Sequence, residues 1–183
     1  MNPKLSEQFF VRDNEEKDFG VLIDLTYRCA LECPRCQRQE FFRDHGEKVW
    51  GEDIPLDTIE KATDIFKAIN FGGQLSDPIH HPHFIEILKL CYDKGVHTNI
   101  ATASTGKPKS WFIKAFEANP NARWQFGIDG LPEESHKYRV NQDGQKLFDI
   151  MCEAKNYLNK TPRWQYIVFK YNEEHIEQAK FMA

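Results

Sequence analysis

The chain has 183 residues, 40% of them hydrophobic and 13% aromatic, with a formal net charge of −4. That length and apolar share suit one globular domain with a sizeable core, and the acidic balance argues against a nucleic-acid partner, which would need clustered Lys and Arg. The start, Met1-Asn2-Pro3-Lys4-Leu5-Ser6-Glu7-Gln8, carries no apolar signal region and no run reaches the length of a membrane span, so an intracellular, cytoplasmic chain with no membrane partner is expected.

Residues 1–19 are polar and read as an N-terminal arm, leaving 20–183 as the domain. From Gly20 onward, short apolar runs alternate with longer amphipathic ones, the pattern of an α/β fold with a parallel sheet covered by helices. The strands are expected at Gly20–Thr26, Ile69–Gly73, His97–Thr102, Arg123–Asp129 and Arg163–Lys170, each followed by a helix, which makes five βα units. In the first helix Ile59, Ala62, Ile65 and Phe66 share a face behind Pro55 and Asp57. In the second, Phe84, Ile87, Leu88 and Cys91 recur at helical spacing between Pro82 and Gly95. The fourth carries Leu147, Ile150, Met151 and Ala154 and ends before Asn159 and Pro162; the last runs from Glu173 to Met182. No internal repeat stands out.

The first strand runs directly into Cys29-Ala30-Leu31-Glu32-Cys33-Pro34-Arg35-Cys36. Three local cysteines are one short of the four ligands of a [4Fe–4S] cluster, which leaves one iron open, as catalysis requires and a purely structural metal site does not. A zinc knuckle would need a fourth protein ligand, and a disulfide would need an oxidising compartment. Cys91 and Cys152 are solitary and fall on apolar helix faces, where they read as core. His80, His81 and His83 lie on a distant loop and read as solvated, and the four tryptophans as packing residues.

Active sites of α/β barrels sit at the C-terminal ends of the strands. Both the cysteine loop and Asn70-Phe71-Gly72-Gly73-Gln74-Leu75-Ser76-Asp77-Pro78 occupy such ends. The fourth strand ends in Phe126-Gly127-Ile128-Asp129-Gly130, followed by His136 and Arg139.

The CxxxCxxC spacing after a strand resembles that of the radical S-adenosylmethionine (SAM) superfamily, and the resemblance extends to the Gly-Gly loop, which looks like the GGE motif, and to the Asp-Gly strand end, which looks like the SxDG stretch of its SPASM and Twitch group. It implies a partial (β/α) TIM-type barrel of five or six units, here short or truncated. By resemblance, Cys29, Cys33 and Cys36 ligate the [4Fe–4S] cluster, Gly72, Gly73 and Gln74 hold the methionine end of SAM, and Asp129 lines the cavity as a catalytic-site residue. The implied activity is reductive cleavage of SAM, with hydrogen abstraction from a peptide or small-molecule substrate and electrons from a donor such as flavodoxin or ferredoxin. The different-class alternatives are an iron–sulfur electron carrier and a zinc-stabilised interaction module.

Three departures from the family pattern matter. Gln74 stands where the family has glutamate, and Asp77 either returns that carboxylate to the SAM ammonium or forms the turn before Pro78. Gly127 replaces a small hydroxyl residue. Arg35 stands where an aromatic or apolar residue is common, and its charge would tune the cluster. Arg139 would take a carboxylate of SAM or substrate, or make a surface ion pair.

Overall fold

A computed structural model describes residues 20–183; the arm expected over 1–19 lies outside the described residues. Five parallel strands, β1 (Gly20–Ile23), β2 (Ala68–Phe71), β3 (His97–Thr102), β4 (Arg123–Gly127) and β5 (Arg163–Gln165), form one open sheet in sequence order. Parallel neighbours need crossover connections, and helices supply them. These are α2 (Leu56–Ile65), α3 (Phe84–Asp93), α4 (Lys109–Ala118) and α5 (Gly144–Ala154), with α1 (Gln37–His45) preceding α2 and α6 (Ile176–Met182) closing the order.

The core lies between the helices and one face of the sheet. Successive strand residues point to opposite faces, so Ile69, Phe71, Ile100, Trp124 and Phe126 meet Ile59, Phe84, Ile87, Phe112, Phe116 and Leu147, all essentially inaccessible. Trp124 is the hub, edge-on to Phe116 at 5.0 Å and to Phe84 at 6.2 Å, arrangements favoured by the ring quadrupole. The opposite, concave face carries Leu22, Asn70, Asn99 and Gln125 and lines open cavities.

Strand positions match the expected units, but β1 and β5 are shorter than their apolar patterns. Beyond Gln165 the backbone leaves the ladder: the Ile167 N–H donates to Asp129 Oδ1 at 2.8 Å and the Phe169 N–H to Asn172 Oδ1 at 2.7 Å. Side-chain carboxyl and amide oxygens thus take the place of a strand partner. Helix α1 was not expected from the pattern, because it buries none of its residues; it starts at Cys36 and stops at Gly46, whose φ of 69° suits glycine. Trp50, expected to pack, is 82% exposed.

Candidate active site

The cysteine loop is gripped through its carbonyls. Arg38, the second residue of α1, donates from Nη1 to the Cys29 carbonyl at 2.8 Å and from Nη2 to the Leu31 carbonyl, while Arg43 donates to the Pro34 carbonyl at 3.0 Å. Leu31 and Cys33 are buried beside Ala103, with Cys29, Cys36 and Tyr138 packed around them. The Leu31 N–H points at Cys29 Sγ, 3.4 Å away.

Burial pushes the Cys29 thiol up to about 12, and the nearby Asp77 charge adds to the effect. Cys33 is also raised by burial, opposed by the Arg139 guanidinium beside it. A thiol held this way in the bare protein resists ionisation; iron, a strong local positive charge, reverses that preference and keeps a coordinating sulfur deprotonated.

The Gly-Gly loop is gripped through its amides. Asp24, just past β1, accepts from the Gln74 N–H at 2.9 Å, the Leu75 N–H at 3.3 Å and the Ser76 hydroxyl. Glycine is required at position 73, since a Cβ there would lie 1.7 Å from the Ser76 carbonyl oxygen. Position 72 is merely snug, with Leu22 Cδ1 3.4 Å from the same construction.

Asp77 is buried, and its carboxylate already has several donors. It accepts from the Ile79 N–H at 3.3 Å, the Thr102 hydroxyl at 2.9 Å, and the Ala103 and Ser104 N–H groups at 2.9 and 3.0 Å. These bonds form the turn before Pro78 and tie the loop onto the end of β3, and Asp77 at the same time belongs to the lining of the cavity described below.

Asp129 does not line the cavity as expected. It is fully buried, and its Oδ2 accepts from Arg139 Nε at 2.6 Å while Oδ1 caps Ile167. Arg139 reaches the cavity in its place, alongside Tyr138 and the cysteines. The pair is internal, not a surface ion pair, and it holds the guanidinium protonated against the cost of burial. Gly127 now has a physical reason: a Cβ there would sit 3.1 Å from Arg139 Nη2 and 3.2 Å from Ala103 Cβ.

Cys29, Cys33, Cys36, Gly72, Gly73, Gln74, Asp77 and Arg139 therefore share one cavity of about 370 Å³ at the C-terminal ends of the strands. Among the described residues no three His, Cys, Asp or Glu side chains converge to ligate a single ion. A four-iron cluster instead takes each thiolate on a separate iron, and three thiols on one wall of an open cavity suit that donor set.

Other residues moved. Arg35 is exposed and outside the cavity lining. The histidine loop is not solvated: His81 is 2% exposed and bonded to the Ile54 carbonyl, and His80 pairs with the Ser104 hydroxyl at 2.8 Å; only His83 faces solvent, beside Glu86. Asp24 and Arg38 went unread in the sequence, although a carboxylate inside an apolar strand run and an arginine two residues after the last cysteine were visible signals.

No family model matches the chain. Curated relatives do, among them PqqA peptide cyclase of Bradyrhizobium diazoefficiens, 26% identical over 93 residues, and the tungsten-containing aldehyde ferredoxin oxidoreductase cofactor-modifying protein of Pyrococcus furiosus, 29% identical over 86. Each match covers 46% of this chain, but only 22% and 24% of the relative. Among solved structures, Streptococcus suis SuiB, determined with S-adenosylmethionine and with its precursor peptide SuiA, superposes on 90% of this chain and 36% of its own at a TM-score of 0.69 and 14% identity. At that identity the likeness shows the fold. With the cysteine motif and the glycine loop, the curated matches support a radical SAM superfamily member over about half of the chain.

Proposed function

We propose that residues 20–183 form the core domain of a radical SAM enzyme that abstracts hydrogen from a peptide substrate. The supporting observation is that the three cysteines and the Gly72-Gly73-Gln74 loop line one cavity. Cys29, Cys33 and Cys36 would hold a [4Fe–4S] cluster, which when bound supplies the electron for reductive cleavage of SAM.

The chain's own residues then divide the task of positioning. Asp24 engages the amides of the glycine loop, so that the loop offers carbonyl oxygens and the Gln74 amide oxygen to the SAM ammonium. Arg139 presents a guanidinium suited to a carboxylate, and Asp129, with no access to substrate, orients it. Leu31 and Tyr138 line the same cavity and limit water around the sulfurs. The relatives' names, a peptide cyclase and an enzyme solved with its precursor peptide, favour a peptide over a small molecule. Flavodoxin or ferredoxin would supply the electron. No helix among the described residues is long and apolar enough to cross a membrane, and we place the protein in the cytoplasm.

Anaerobic reconstitution tests the reading. The chain should take up about four irons and four sulfides, and with a strong reductant it should convert SAM to 5′-deoxyadenosine. Stoichiometric zinc without sulfide, or a loaded protein that does not bind SAM, would overturn it.

A further inference from the structure

Position 127 has no side chain, and the structure shows what uses the room. A Cβ at Gly127 would meet Arg139 Nη2 at 3.1 Å and Arg139 Cζ at 3.4 Å, so the guanidinium is packed against bare backbone at the end of β4. Asp129 fixes it there, accepting from Arg139 Nε at 2.6 Å. Asp129 is held in turn by the Ile167 N–H on Oδ1 at 2.8 Å and by the Tyr171 hydroxyl, which donates to its carbonyl at 2.9 Å. With Nε engaged, the terminal nitrogens remain to serve the cavity that Arg139 lines.

The same segment is docked on the cysteine loop, through both chain neighbours of Arg139. The Val140 carbonyl accepts from the Glu32 N–H at 3.1 Å, and Tyr138 packs against the cluster of Leu31, Cys33 and Ala103. Arg139 is thereby held beside Cys33, with its side chain 16% exposed. A charge so buried is little screened by water or salt. Burial raises the Cys33 thiol, and the Arg139 guanidinium is the largest influence opposing that rise; at Cys29 burial is instead reinforced by Asp77. The two thiols therefore have dominant neighbouring charges of opposite sign. Arg35, whose charge the sequence offered for tuning, is exposed and outside the cavity lining.

We propose that Arg139 raises the reduction potential of the cluster through the Cys33 sulfur, and that Asp129 moderates the effect. The potential of an iron–sulfur cluster is set by its net charge, the hydrogen bonds to its sulfurs and its exposure. One electron takes [4Fe–4S]2+ to [4Fe–4S]1+ and adds a negative charge beside the cysteines, so a fixed, buried cation favours the reduced form. Asp129, on the far side of the guanidinium, offsets part of that charge. The inference rests on the radical SAM reading for the presence of the cluster, and it gives Arg139 a task that needs no SAM.

The test is a potentiometric titration of the anaerobically reconstituted full chain without SAM, followed by the electron paramagnetic resonance signal of the reduced cluster, with iron and sulfide assayed in every variant. Arg139→Gln should lower the ratio of reduced to oxidised cluster about tenfold at a fixed ambient potential, the worth of a hydrogen bond to a charged group, which is a midpoint about 59 mV more negative for one electron. Arg139→Lys should recover part of the shift. Asp129→Asn should move the midpoint the other way, a reversal that loss of packing does not produce, and it serves as the second variant where Arg139→Gln strands the buried carboxylate and does not fold. Arg35→Gln should leave the midpoint in place. Midpoints equal to that of the wild type in the Arg139 and Asp129 variants, at full iron content, overturn the proposal. So does a shift in Arg35→Gln as large as that in Arg139→Gln, since the effect would then be one of total charge. A wild type that takes up no iron and sulfide overturns the radical SAM reading and this proposal together, whereas full clusters with unmoved midpoints overturn the proposal alone.

Discussion

The two loops that line the cavity are held by opposite chemistry. Arginines grip the cysteine loop by its carbonyls, at Cys29, Leu31 and Pro34. A carboxylate, Asp24, grips the glycine loop by its amides and the Ser76 hydroxyl. Every backbone unit has one donor and one acceptor, and the two loops are anchored through opposite ones. In the cysteine loop the Leu31 N–H points at Cys29 Sγ, while the N–H groups of Glu32 and Cys36 are bonded to the Val140 and Cys33 carbonyls.

The largest expected effect breaks the cysteine side. Cys33→Ala should abolish iron and sulfide uptake on reconstitution, and with it SAM cleavage, because two thiolates leave two irons open. Cys91→Ala should leave iron content intact, since Cys91 is buried in the helix core; loss of iron in that variant would mean that the ligand set has been misread.

On the glycine side, the two glycines should behave differently. Gly73→Ala puts a methyl group where the Ser76 carbonyl lies 1.7 Å away, so the backbone must move; a loss of about 3 kcal/mol in stability and of SAM binding is expected. Gly72→Ala meets only the end of Leu22 at 3.4 Å and should cost less than about 1 kcal/mol. Urea denaturation of the two variants checks the pair, and equal losses would mean that the loop is not held as described.

The carboxylates come next. Asp77→Asn turns one acceptor oxygen into a donor facing the N–H groups of Ala103 and Ser104. The expected cost is about 2–3 kcal/mol of stability, with any weakening of SAM binding following from loop displacement. Asp24→Asn, at a less buried position, should cost about 1–2 kcal/mol. If Asp77→Asn left stability unchanged and lowered only SAM affinity, the carboxylate would face SAM after all.

What the sequence disclosed and what it hid follow the same division between local pattern and long-range contact. The cysteine spacing, the Gly-Gly pair and the period of the strands are local, and they placed the sheet order and both walls of the cavity. Helix α1 was hidden because it buries nothing, and so leaves no apolar stripe to read. The burial of Asp129 depends on Arg139 and Ile167, 10 and 38 residues away, and Asp24 meets its loop across about 50. Asp-Gly at a strand end reads the same whether its carboxylate meets solvent or an arginine.

The smallest expected effect concerns pH and the histidine loop behind the glycine loop. His81 accepts from the His83 N–H at Nδ1 (3.2 Å) and therefore donates from Nε2 to the Ile54 carbonyl at 3.0 Å. Protonation would place a second N–H against the His83 N–H, and burial already holds the His81 pKa below 6.5. Burial lowers that of His80 as well. A histidine whose folded-state pKa is depressed binds fewer protons than it does in the unfolded chain, so stability rises with pH between the depressed value and the unfolded one. The stabilisation is complete above about 6.5 and is lost as the solution is acidified below that point. Urea midpoints measured between about pH 5 and pH 7 should fall with acidification in the wild type. In His81→Gln, whose amide can still donate to Ile54, the slope should be shallower, with the residue left by His80. Parallel slopes would remove His81 from the account and leave the loop's acid sensitivity to His80 and its bond with Ser104.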